Sequence, residues 1–278
     1  MGKLKDILRL IRPLNCLMMA FAVVVGASLA TTLNFSFNLL MGAVTAFALT
    51  AASMVMNDYY DREIDAINEP TRPIPKGVIR PEEALVYATA FGIVGLAAAL
   101  QTNIESFLVA IIAMTISLSY ISKGKKTGLL GNFLVSTTVV IPFVYGGLAV
   151  GQIHASTLIF VAIVFLSNTA REITKGIVDV KGDRANKITT IAVTYGEHTA
   201  AAAASFFTLL AIILSPLPCI WGLVTNWFLP MVIITDIGLL ASTVLLLRDY
   251  SRKNAKRTKN LALVWFTTGL MAFILGKL

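Results

Sequence analysis

Acidic side chains gather in two places along the chain. Seven stand between residues 57 and 83 (Asp58, Asp61, Glu63, Asp65, Glu69, Glu82, Glu83) and three between 168 and 187 (Glu172, Asp179, Asp183), together 10 of the 15 acids in 278 residues. In the run Asn57-Asp58-Tyr59-Tyr60-Asp61-Arg62-Glu63-Ile64-Asp65 the three aspartates fall at i, i+3 and i+7, one face of a helix. Carboxylates stacked this way repel one another unless a cation joins them. Their hard oxygens suit Mg²⁺, which takes a few carboxylates and completes its shell with phosphate oxygens. In the second place Asp179 and Asp183 stand at i and i+4, with Arg171, Lys175, Lys181 and Arg184 available to phosphate oxygens. Two carboxylate sets interleaved with cations describe a cradle for a Mg²⁺-bridged diphosphate, in which the metal offsets charge on a leaving group.

The elements that position these residues are membrane spans. The chain is 56% hydrophobic and 14% charged, with mean hydropathy +0.78, whereas soluble domains carry about 25% charged residues. Apolar runs of about 20 residues recur throughout, each long enough to cross a bilayer. A soluble enzyme, a disordered chain and a disulfide scaffold are excluded; Cys16 and Cys219 both lie in apolar runs. The expected fold is all-α, a polytopic membrane protein with nine spans near 14–33, 37–56, 83–101, 105–121, 129–149, 155–172, 199–218, 227–247 and 260–276. No separable soluble domain stands out, so residues 1–278 read as a single integral-membrane domain.

With nine spans, 22 of the 23 Lys and Arg residues fall on one face and only Lys277 on the other. The positive-inside rule makes that face cytoplasmic, with the N-terminus inside and the C-terminus outside. The net charge of +8 is then a membrane-surface effect that draws anionic lipid, not a sign of nucleic-acid binding. Both aspartate sets lie on the cytoplasmic face. The competing reading of each is a solvated loop, but face-aligned aspartates at a membrane boundary are costly without a task. Asp236 is different: it lies about ten residues into span eight, about 15 Å deep, and reads as a hydrogen-bond partner inside the bundle. Gly147-x-x-x-Gly151 has the spacing of a close helix-packing motif.

The first aspartate run, followed by Ile67-Asn68-Glu69-Pro70-Thr71-Arg72-Pro73-Ile74-Pro75, resembles the NDxxDxxxD signature of UbiA-type membrane prenyltransferases. Asp179-Val180-Lys181-Gly182-Asp183-Arg184 looks like that superfamily's second aspartate motif, and Arg12-Pro13-x-Asn15 and Gly131-Asn132 are similar to further family features. The resemblance implies nine helices around a central cavity open to lipid, and transfer of a prenyl group from a polyprenyl diphosphate donor. It implies that Asn57, Asp58, Asp61, Asp65, Asp179 and Asp183 hold Mg²⁺ and diphosphate. It also offers Asn15, Arg72, Lys125, Lys175, Lys181 and Tyr145 for substrate. Relatives often carry another acid near Gly176 or Val178, which this chain lacks.

The start Arg12-Pro13-Leu14-Asn15-Cys16, the stretch from Ile67 to Gly77, Arg171-Glu172-Ile173-x-Lys175-Gly176 and Tyr195-Gly196-Glu197 look most like archaeal digeranylgeranylglyceryl phosphate synthases within that superfamily. That implies geranylgeranyl transfer to the free hydroxyl of geranylgeranylglyceryl phosphate. Chlorophyll synthases and enzymes with aromatic acceptors are the alternatives. A secondary transporter is a remote one, because transporters place coupling acids near the bilayer midplane rather than at one interface.

Overall fold

Prolines, glycines and short polar caps cut the hydrophobic sequence into helices. The computed structural model describes residues 2–32 and 34–277, without the side chains of Ile67 and Asn68. The expected end of the first span at 33 and the Ile67-Asn68 side chains of the first motif therefore lie outside the described residues. In chain order the helices are α1 (Gly2–Ile11), α2 (Pro13–Ala30), α3 (Phe37–Tyr60), α4 (Arg62–Asn68), α5 (Pro81–Thr102), α6 (Ile104–Ser122), α7 (Leu129–Ala149), α8 (Ala155–Ala185), α9 (Ile191–Tyr195), α10 (Glu197–Leu214), α11 (Leu217–Ile220), α12 (Phe228–Arg248) and α13 (Arg252–Leu275). Pro13 and Pro81 open α2 and α5 in the first turn, where a missing N–H costs little. Ser36, Thr190 and Ser251 cap α3, α9 and α13 through their hydroxyls.

Among the described residues nine helical segments are long and apolar enough to cross a membrane, as the hydropathy predicts. Two boundaries differ from expectation. The sixth span, expected to end at 172, runs on to Ala185, because nothing from Glu172 to Asp183 breaks a helix once water takes over from lipid. The ninth begins at Arg252 rather than 260, so most of the basic stretch before it is helical.

The described residues form two compact units. The first comprises Met1–Ala27, Thr31–Ser122 and Ile141–Gln152; the second comprises Ser28–Ala30, Lys123–Val140 and Ile153–Leu278. In the first, α3 packs against α1, α5 and α6. Leu10, Ile11 and Cys16 form a core there with Val55, Ile74, Ile79 and Ala84. The helix α2 meets the C-terminal half of α7 so closely that a Cβ at Gly26 would strike the Phe143 backbone, and one at Gly146 the Val23 backbone. Gly151, by contrast, sits in a turn after α7 at φ +75° with nothing near its missing side chain, so the Gly147–Gly151 spacing is not a packing motif.

In the second unit α8 packs against α10 and α13, and α12 against α10 and α13. Asp236 on α12 accepts a hydrogen bond from the Ser215 hydroxyl at 2.6 Å, the intrabundle role its depth suggests.

Candidate active site

In the first unit the aspartate run does not form one unbroken helix. Tyr60 ends α3, Asp61 stands at the join, and α4 begins at Arg62. The hydrogen-bond ladder survives, with Asp61 N–H donating to the Asn57 carbonyl at 2.9 Å and Asp65 N–H to the Asp61 carbonyl at 2.7 Å. The three aspartates therefore stay in helical succession. Asp58 is 2% exposed and Asp65 6% exposed, so neither carboxylate has water enough to carry its charge unaided.

Two arginines supply the counter-charge. Arg12 donates through Nη2 to Asp58 Oδ1. Arg72 reaches both buried acids through Nη1, bonding Asp65 Oδ2 and standing 3.4 Å from Asp58 Oδ1. Asp61 Oδ2 accepts from the Asn57 amide at 3.1 Å. Each arginine is held by its own local device. Arg12 occupies the break between α1 and α2 at φ 52°, where a non-glycine residue carries strain of order 1–3 kcal/mol. Pro13 behind it starts the next helix. Arg72 lies in the 69–80 loop, which folds onto itself through Lys76 N–H to the Arg72 carbonyl and Val78 N–H to the Pro73 carbonyl. Ile74 and Ile79 anchor that loop in the core. Asn15 points its amide at the Met54 sulfur, as Arg12 does, one helical turn before Asp58.

In the second unit Glu172, Lys175, Asp179 and Asp183 follow one another at spacings of three, four and four along α8, which makes one stripe. Glu172 bridges Arg171 at 3.0 Å and Lys175 at 3.3 Å. Asp179 is exposed and Asp183 half-buried beside Thr190, the cap of α9. The Lys125 turn (Gly124–Lys126) is tied to the segment after α8, because the Thr189 hydroxyl donates to the Lys126 carbonyl and a Cβ at Gly128 would meet the Thr189 carbonyl. Lys125 is thus brought to the same end of the second unit as Asp183.

Two expected residues are placed elsewhere. Tyr145 is buried in the first unit with its hydroxyl beside those of Thr45 and Thr102, at 3.3 and 3.4 Å. Thr45 is 13 residues before Asp58 on α3, roughly 20 Å away at 1.5 Å per residue. Lys181 is exposed, and two residues from Asp179 it falls on the opposite side of α8 from the stripe. Conversely, Arg12 is the residue that sequence reasoning undervalued, since it was visible only as a topology charge and a letter in a motif. Glu172, which orders Lys175, is a second.

Among the described residues no three His, Cys, Asp or Glu side chains converge as a ready metal cage. The first motif nevertheless offers the chemistry Mg²⁺ prefers, hard carboxylate oxygens in succession with an amide oxygen beside them, for an ion that borrows the rest of its shell from phosphate.

An all-helical protein with nine candidate spans and an arginine-laced aspartate motif at the end of one of them is a multi-pass membrane protein with a site suited to diphosphate. The chain belongs to the UbiA prenyltransferase family, whose model matches residues 19–267. Among its relatives are the digeranylgeranylglyceryl phosphate synthases of Methanothermobacter thermautotrophicus and Methanopyrus kandleri. The first is 33% identical over 270 residues, covering 97% of this chain and 95% of the relative. The second is 34% identical over 268 residues, covering 96% and 97%. A solved structure of digeranylgeranylglyceryl phosphate synthase superposes with TM-score 0.88 at 32% identity, covering 100% of this chain and 99% of the other. A UbiA homologue from Archaeoglobus fulgidus bound to GPP and Mg²⁺ shares the fold, with TM-score 0.70 at 18% identity over 96% of this chain and 99% of the other.

Proposed function

We propose that the protein transfers a geranylgeranyl group from geranylgeranyl diphosphate to the free glycerol hydroxyl of geranylgeranylglyceryl phosphate. The observation that carries this reading is the end-to-end match, at about a third identity, to relatives named for that synthesis. The bond between prenyl C1 and the diphosphate oxygen breaks, and diphosphate leaves with the electron pair. The glycerol oxygen forms the new ether bond to C1 and gives up its proton to a carboxylate or to water.

Mg²⁺ bound with the diphosphate neutralises charge on the leaving group. We assign Asn57, Asp58, Asp61, Asp65, Asp179 and Asp183 to that metal–diphosphate. Arg12 and Arg72, parked on Asp58 and Asp65, turn their remaining N–H groups to phosphate oxygens. Arginine suits this because its fork bonds phosphate in a fixed plane. We assign Lys125 and Lys175 to diphosphate oxygens as well, and Asn15, beside Arg12, to substrate. Residues 1–278 are read as one catalytic domain in the membrane, with the N-terminus and the aspartates cytoplasmic and the C-terminus outside, a reading supported by the distribution of basic residues.

The test is product formation in detergent from geranylgeranyl diphosphate and geranylgeranylglyceryl phosphate, with Mg²⁺ or EDTA. The expected product is the digeranylgeranyl lipid, by mass, and only with Mg²⁺. Transfer to chlorophyllide or an aromatic acid but not to this acceptor would refute the assignment of the acceptor.

A further inference from the structure

The short helix α1 (Gly2–Ile11) precedes the first span, and its surface divides into three strips. Ile7, Leu10 and Ile11, at i, i+3 and i+4, pack into the core that also holds Val55, Ile74 and Ile79. Leu4 and Leu8, one turn apart, form the next strip and are 65% and 44% exposed. Lys5 and Arg9, again one turn apart, form the strip farthest from the core, and both are exposed. Lys3 fastens the start of the helix to α5, with its Nζ 2.9 Å from Glu83 Oε1.

Helix stability alone does not call for this pattern. The first turn holds Lys3 and Lys5 and no acid, the reverse of what a helix N-terminus favours. At ten residues and about 15 Å, α1 is too short to stand alone in water or to cross a bilayer. Pro13 opens α2 one residue after Arg12, and Leu14 and Leu17 on α2 are exposed as the lipid face of a span must be. The helix α1 therefore stands at a boundary of the bilayer, whichever face that is. An apolar strip edged by cations at that level fits acyl chains on one side and anionic headgroups on the other. A symmetric contact with a second copy would bring Lys5 and Arg9 against their own like charges, whereas an anionic lipid surface neutralises them.

The same helix reaches the aspartate site. It leads into Arg12, whose Nη2 holds Asp58. Its Leu10 and Ile11 share a core with Ile74 and Ile79, which pin the loop carrying Arg72. Both arginines of the buried aspartate lattice thus depend on one short helix.

We infer that α1 is a docking surface for an anionic lipid bilayer, with Leu4 and Leu8 entering the acyl boundary and Lys5 and Arg9 on the headgroups, and that docking holds Arg12 and Arg72 in place. The docking stands apart from the proposed function; its effect on the aspartate site rests on that reading.

The experiment follows hydrogen exchange of the α1 amides in the full-length protein. It compares nanodiscs of phosphatidylcholine with discs in which a third of the lipid is phosphatidylglycerol. The expected result is exchange at least tenfold slower in the anionic discs. That gain is lost in a Lys5→Gln, Arg9→Gln double variant and in a Leu4→Gln, Leu8→Gln double variant. All four side chains are outside the core, so both variants fold. A second arm measures Mg²⁺-diphosphate affinity in the anionic discs, where the leucine variant keeps every charge and should bind at least fivefold more weakly than wild type. Equal exchange in the two discs, or a gain that survives in both variants, overturns the docking. Slowing that follows protein concentration in detergent instead of lipid charge marks a contact between copies and overturns it too. Wild-type diphosphate affinity in the leucine variant overturns the hold on Arg12 and Arg72. A wild-type protein that binds no diphosphate refutes the proposed site, and the exchange arm still decides the docking.

Discussion

The two aspartate motifs solve the same electrostatic problem in opposite ways. In the first, Asp58 and Asp65 are buried and their charge is met by Arg12 and Arg72, one fixed in a strained helix break and the other on a loop pinned by Ile74 and Ile79. In the second, Asp179 is exposed and Asp183 half-buried near the end of a helix that has outrun its membrane span. Water meets Asp179, while burial and the neighbouring Asp179 push the Asp183 carboxyl up to about 6. The first motif is therefore part of what holds its unit together, whereas the second stands at an open helix end. Substitutions should separate the two.

The largest effect belongs to the buried lattice. Arg72→Ala leaves two buried carboxylates short of a partner, a change worth about 3–5 kcal/mol when a buried pair is broken. We expect loss of activity together with a fall in melting temperature of many degrees, measured on the purified protein. Arg72→Lys keeps the charge but not the reach to both acids, and should fall between. Second comes Asp183→Asn, which should lower turnover at least a hundredfold and leave the melting temperature within a degree or two of wild type. A large drop in stability there would erase the contrast between the motifs.

Third, Gly146→Leu should destabilise the first unit by disrupting the α2–α7 contact, because the added side chain would collide with the Val23 backbone; overpacking of this kind costs about 1–3 kcal/mol. The smallest effects separate site from bystander. Tyr145→Phe removes weak hydroxyl contacts with Thr45 and Thr102, about 0.5–1.5 kcal/mol in stability, and should not change KM for either substrate. Lys181→Ala should leave kcat and both KM values within twofold.

Much of the fold was legible because hydropathy is local. A span is written in some twenty consecutive residues, and α2, α3, α5, α6, α7 and α12 begin and end within a few residues of expectation. Where α8 and α13 ran longer, hydropathy had reported the edge of the membrane and not the edge of the helix. The aspartate stripes were equally legible, since i, i+3, i+4 and i+7 spacings survive even the join at Asp61. What sequence could not supply was reach across the chain. The Arg12–Asp58 pair spans 46 residues and Arg72–Asp58 spans 14, and beyond the Pro13 that follows it nothing local sets Arg12 apart from Arg9. Tyr145 was ambiguous in sequence for another reason: an aromatic suits a carbocation pocket and a bundle core equally well. Lys181, two residues along a helix from Asp179, lies on the opposite side of α8 from the stripe.

The most direct test of the central claim is calorimetric titration of inorganic diphosphate into the purified protein, with and without Mg²⁺, in wild type, Asp61→Ala and Asp183→Ala. Both motifs serving one Mg²⁺–diphosphate predicts binding that requires Mg²⁺ and weakens at least tenfold in each variant. Binding that is indifferent to Mg²⁺, or that survives undiminished in either variant, would contradict it.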